Sequence, residues 1–160
     1  MKKIILSLMI CINLSAFDVK DLKLLKEDGD CPGCDLSYAD LKGMDLTMSD
    51  LSDANLSHAD LTNTLAHKAD FTNADLSSAL FIKSNLKGSK FTGATLKNVD
   101  FFEARIWKGD FSNAHIDRCK FDESALGSAI FDHNNLTNST FNGAILYKTF
   151  FSQTVLGAPE

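Results

Sequence analysis

The chain has 160 residues and a formal net charge of −5, with 44% hydrophobic and 23% charged residues. That acidic balance offers no broad basic surface, so no nucleic-acid partner is expected. The sequence also lacks a nucleophile elbow, a phosphate-binding loop and a paired-His metal motif, so no enzyme, metal or cofactor is implied.

Residues 1–16 have the form of a secretory signal peptide. Lys2 and Lys3 precede the apolar run Ile4 to Ile12, and Ala16 suits the position before a cleavage site. The run is too short to cross a membrane as a helix, so no span is expected in the mature chain, and the expected location is periplasmic or secreted. An uncleaved start or a membrane anchor is the alternative. Cys11 follows Leu8-Met9-Ile10, which lacks the small residues a lipoprotein signal needs. Loss of the two lysines takes the net charge from −5 to −7.

Residues 17–33 hold a short helix and a C-x-x-C motif. Asp18 to Glu27 places Val19, Leu22 and Leu25 on one face, with Leu24 beside them, and Asp28-Gly29-Asp30 stops it. The motif is Cys31-Pro32-Gly33-Cys34. A zinc site needs further ligands that the chain does not supply. Thiol exchange normally uses a helix N-terminus in a βαβ unit. The favoured reading is a local Cys31–Cys34 disulfide, consistent with an oxidising compartment.

From Leu36 to Leu156 every fifth residue is Leu, Phe or Ile, with Ala66 the one exception. Steps of five rotate about 140° on a helix and alternate faces on a strand, so neither element fits. A chain that turns one corner per repeat does fit, and a repeat of this kind marks a solenoid. Two residues before each centre the side chain is mostly small, as at Ala39, Ala54, Ala59, Ala69 and Ala74; Cys34 and Cys119 occupy the same slot. The slot just before the centre is often Asp or Asn, and the two after it are polar, which suits corners.

The A-(D/N)-L-x-x pattern, clearest at Ala39-Asp40-Leu41, Ala59-Asp60-Leu61 and Ala69-Asp70-Phe71, resembles the pentapeptide-repeat family over about residues 34–158. The resemblance implies an all-β fold, a right-handed quadrilateral β-helix with four repeats per coil. About six coils at a layer spacing of roughly 4.8 Å make a rod of roughly 30 Å. Residues twenty apart then stack. Phe81, Phe101, Phe121 and Phe141 fall in one column and Phe71, Phe91, Phe111, Phe131 and Phe151 in the facing one, as core packing. Ala66 should leave a gap or a narrowed coil, Cys119 should be a buried thiol, and the short helix should cap the first coil. The C-terminal end has no helix of its own, and another molecule is expected to cover it.

Acid is concentrated in residues 34–80, whereas Lys83, Lys87, Lys90, Lys97, Arg105 and Lys108 lie in the second half. The acid is read mainly as solubilising. Asp40 with Asp60, and Asp50 with Asp70, would stack as like charges; calcium could relieve that, though outward carboxylates splay into water. His58, His67, His115 and His133 show no metal-type pairing. The functional candidates are apolar residues in outward slots: Ile82 and Phe102, Trp107 with Tyr147 on the next face, and Ile130, Ile145, Phe150 and Val155 near the C-terminus. They point to a non-enzymatic exported scaffold for a protein partner, including a homodimer through the C-terminal coil. Two alternatives stand beside it. One is a cytoplasmic DNA-mimicking rod that binds DNA gyrase, as some members of the family are. The other is a thiol-disulfide oxidoreductase acting through Cys31 and Cys34.

Overall fold

The computed structural model describes residues 18–157; the expected signal peptide, residues 1–16, lies outside them. The first element, α1, is a helix over Val19–Asp28. The Asp18 side chain caps its start by accepting the Lys20 N–H at 2.8 Å. Gly29, at φ 82°, ends it by donating its N–H to the Leu25 carbonyl. The helix buries Leu25 and half-buries Leu22, but Val19 is 73% exposed and Leu24 is also exposed. The expected face is therefore corrected: only its Leu22–Leu25 edge meets the coil.

The rest of the described chain is a parallel β-solenoid. Cα partners lie twenty residues apart throughout, from Asp35 opposite Asn55 to Asn135 opposite Val155. Only Thr95–Lys97 (β1) and His115–Asp117 (β2) extend the pairing into a continuous two-strand ladder. The repeat centred on Leu36 shows how the coil meets its N–H groups. Leu36 and Tyr38 donate to Asn55 and Ser57 on the next coil, Ala39 closes the corner onto Leu36, and Asn55 donates back to Cys34. The fifth donor goes to a side chain: Ser37 N–H meets Asp35 Oδ1 at 3.1 Å. The third residue of the corner turns from Gly33 to Gln153, Asn138 excepted, sits in the left-handed region, at φ 59° for Tyr38 and 65° for Gly43, as a type II turn requires.

The core sorts into the expected columns. Within a column the phenyl rings stack in parallel, as Phe91 on Phe111 at 4.7 Å and 5°. Across the axis they meet edge to face, as Phe101 with Phe111 at 5.9 Å and 88°. Both geometries are those that ring quadrupoles favour. The thiol of Cys119 is buried, donates to the Leu96 carbonyl at 3.1 Å, and is pushed up to about 12 by burial.

The N-terminal mouth is closed by polar as well as apolar groups. Asp21 Oδ2 accepts the Asp35 N–H and Asp30 Oδ1 accepts the Asp50 N–H, both at 2.8 Å. These carboxylates satisfy first-coil donors that have no preceding coil to meet.

Candidate interaction surface

The C-x-x-C motif is a corner of the solenoid. Cys34 N–H donates to the Cys31 carbonyl at 3.3 Å, with Pro32 and Gly33 (φ 69°) filling the two central turn positions they suit. Cys31 takes the central inward slot and donates its N–H to Asp50 on the next coil, so the ladder begins at residue 31, ahead of the expected 34. The two cysteines are joined, with Cα atoms 5.4 Å apart, and Cys31 is fully buried while Cys34 is 7% exposed. Cys31 Sγ lies 3.3 Å from the Asp21 carbonyl oxygen, which places the pair under the cap helix. Thiol exchange needs in-line access of an attacking sulfur, and this burial gives little.

The stacked carboxylates are neutralised locally. Lys42 reaches Asp60 at 3.0 Å and Lys90 reaches Asp70 at 2.8 Å. Partial burial alone would raise Asp70, but the Lys90 ammonium and the Thr72 hydroxyl and N–H hold its carboxyl below the usual range. Lys120 stands 3.7 Å from Asp100 and Lys83 3.7 Å from Glu103. Among the described residues, no group of three or more His, Cys, Asp or Glu is placed to hold a metal. One open surface depression is lined by the turn residues Lys83 and Glu103 and by Leu65, Asn85 and Arg105 on the side that follows that corner.

The outward apolar residues do not form one patch. Ile82 is half-buried and Phe102 is 37% exposed, one coil apart on the same corner. Trp107 lies on the next corner, its ring over Gly127, where an added Cβ would come within 2.1 Å of the indole. Tyr147, two coils further on, is exposed beneath the Lys148 ammonium. Ile130 is half-buried opposite Phe150. Ile145, Phe150 and Val155 are 53%, 55% and 56% exposed and take three different sides of the last coil. Their columns begin with Asp45, Asp50 and Asp35, so each side changes from acidic to apolar along the rod.

Other exposed features carried no spacing signal of their own. Tyr38 stacks on His58 at 4.5 Å between turn tips, and Met48 and Leu65 are exposed. Among the described residues no helix is long and apolar enough to cross a membrane.

Coils of twenty residues, inward Leu and Phe columns and a surface of short turns define a parallel β-solenoid of the repeat type. Pentapeptide repeats are matched in eight copies, over segments that run from 30–65 to 119–156, and the chain belongs to that family. Three solved pentapeptide-repeat or related structures are similar to it. HetL, involved in heterocyst differentiation regulation in the cyanobacterium Nostoc sp. strain PCC 7120, is 23% identical with a TM-score of 0.47; the match covers 82% of this chain but 64% of HetL, under two thirds of its length. Rfr23 from the cyanobacterium Cyanothece 51142 is 19% identical at TM-score 0.43, with 86% and 97% covered. QnrB1, a plasmid-mediated fluoroquinolone resistance protein, is 20% identical at TM-score 0.47, with 78% and 68% covered. No curated protein matches the sequence. Proteins of this family are generally non-enzymatic scaffolds.

Proposed function

We propose that this protein is an exported, non-enzymatic scaffold whose last coil docks a protein partner. The coil itself is read as the right-handed quadrilateral form in about six turns. The observation that carries the reading is the exposure of Ile145, Phe150 and Val155, in columns that open on aspartate. Large apolar side chains in outward slots gain most when a second surface removes them from water. A second copy of the chain is one such partner. In light scattering, wild type is then heavier than the monomer, and the I145S/F150S variant returns to monomer mass. Monomer mass for both excludes self-association and leaves a different protein as the partner.

Export rests on the leader-like residues 1–16 and on the closed Cys31–Cys34 pair, which persists in an oxidising compartment. Intact mass without reductant should give a chain beginning at Phe17 with two thiols blocked. A full-length, reduced chain in the cytoplasm would overturn export. The DNA-mimic reading needs an unbroken acidic face, and Lys42, Lys90 and Lys120 interrupt it. The oxidoreductase reading is weakened by the burial of both sulfur-bearing residues.

A further inference from the structure

One of the four corners differs from the rest in charge. Its turn tips run Thr47-Met48, His67-Lys68, Lys87-Gly88, Trp107-Lys108, Gly127-Ser128 and Tyr147-Lys148, with no acid among them. Each of the other three corners carries at least one acidic tip: Asp53, Glu103 and Asp117. Lys68, Lys87, Lys108 and Lys148 are exposed, and among the described residues none of them forms an ion pair. Arg105 stands exposed on the side that leads into this corner.

The neighbouring carboxylates are turned elsewhere. Asp50, Asp70 and Asp110 follow the corner on one side, but their Oδ1 atoms accept from Ser52, Thr72 and Ser112, which belong to the next corner. Asp70 is also paired with Lys90. Asp45 does lean in, onto the Thr47 N–H, and so closes the ridge at its N-terminal end. From Lys68 to Lys148 the ridge covers four coil steps, about 19 Å.

The basic ridge ends on apolar side chains. Tyr147 is at the tip, Ile145 and Phe150 flank it on either side, and all three are more than half exposed. Trp107 sits midway with its ring along the surface of Gly127. A soluble polyanion would pair with the lysines and leave these side chains in water. An anionic bilayer surface takes both: its charge attracts the ammonium groups, and its headgroup layer accommodates Tyr, Trp and aliphatic groups.

We infer that this corner is a peripheral docking edge for anionic phospholipid, with the rod lying along the membrane and the Ile145–Phe150 knuckle set into the headgroup layer. The inference shares Ile145 and Phe150 with the docking surface proposed above and is told apart from it by its need for Lys68, Lys87 and Lys108, which lie outside the last coil.

Trp107 is the only tryptophan of the chain, so tryptophan fluorescence reports this edge. The full chain is mixed with vesicles of equal phosphatidylcholine and phosphatidylglycerol carrying brominated acyl chains. The expected result is a blue shift and quenching of Trp107, absent with pure phosphatidylcholine. The K87A/K108A/K148A variant should bind about a hundredfold more weakly. Lys83→Ala, on another corner, with Lys120→Ala, on another side, should bind as wild type does. A far-UV melt confirms that each variant is folded, and Tyr147→Ser should reduce quenching without removing three charges. Unquenched Trp107, equal response to neutral vesicles, indifference to the triple substitution, or equal affinity for soluble polyphosphate would each overturn the proposal.

Discussion

An aspartate or asparagine ahead of a central Leu or Phe has a backbone task. Asp60 and Asp75 accept N–H groups two residues on, from Thr62 and Ser77, and Asn135 does so for Thr137. Where Thr140 and Phe150 occupy that slot, the carboxylates of Asp122 and Asp132, one coil back, take the N–H of Asn142 and Ser152 instead. The acidic first half is therefore in large part a consequence of how corners are closed. Asn134 is the opposite case, a polar residue in a small inward slot. Its amide nitrogen donates to Phe111 and Asp132, but its Oδ1 is buried without a partner. Both carbonyls already accept backbone donors from Ala114 and Asn113. Asn134→Ala should therefore raise stability by about 1 kcal/mol in denaturant titration. Gly127→Ala should push the indole of Trp107 off the surface, cost about 1 kcal/mol, and red-shift the emission. The Asp70–Lys90 pair predicts a pH effect. The folded carboxyl titrates below its unfolded value, so its contribution is complete above about pH 4 and is lost as pH falls through the lower folded value. Lys90→Met should remove about 0.5 kcal/mol near neutral pH and flatten the acid limb of the melting curve, since the pair is partly exposed.

At the scale of elements, the cap helix and the first corner act as one lid. Leu25 is 2% exposed over the first coil, Asp21 and Asp30 close its free N–H groups, and Cys31 lies beneath the helix. Leu25→Ala should cost 2–5 kcal/mol and expose the N-terminal coil to proteolysis, because the helix has no second buried leucine to hold it in place. Replacing Cys31 and Cys34 by Ser should cost at most about 2 kcal/mol, since the closed loop is short. A loss of stability with no loss of partner binding marks the pair as a staple. The helix and its stop were legible in sequence because caps and glycine act locally, and α1 begins and ends within a residue of the expected limits. The buried face was less legible. Val19 has the right spacing, yet the coil mouth is narrow and only Leu22 and Leu25 reach it.

Across the whole molecule, the five-residue beat revealed the fold because each centre points inward, whatever its corner. The alternation of Phe places two ladders face to face, and the rings meet that way. The surface was far less legible. Exposure depends on what the next coil does: Gly127 lets Trp107 lie down, Ile130 is half covered, and Ile145, Phe150 and Val155 divide among three sides. The five-residue spacing alone does not show that one corner is free of acid; it takes the twenty-residue stacking to sort the turn tips by corner. The last coil is the part of the surface on which the scaffold reading depends. A photo-crosslinking residue placed in cells at Phe150 tests it most directly, with the turn tip Asn73 as the comparison site. The account predicts a discrete protein adduct from position 150 and none from position 73; no adduct at 150, or the same adducts from both, would contradict it.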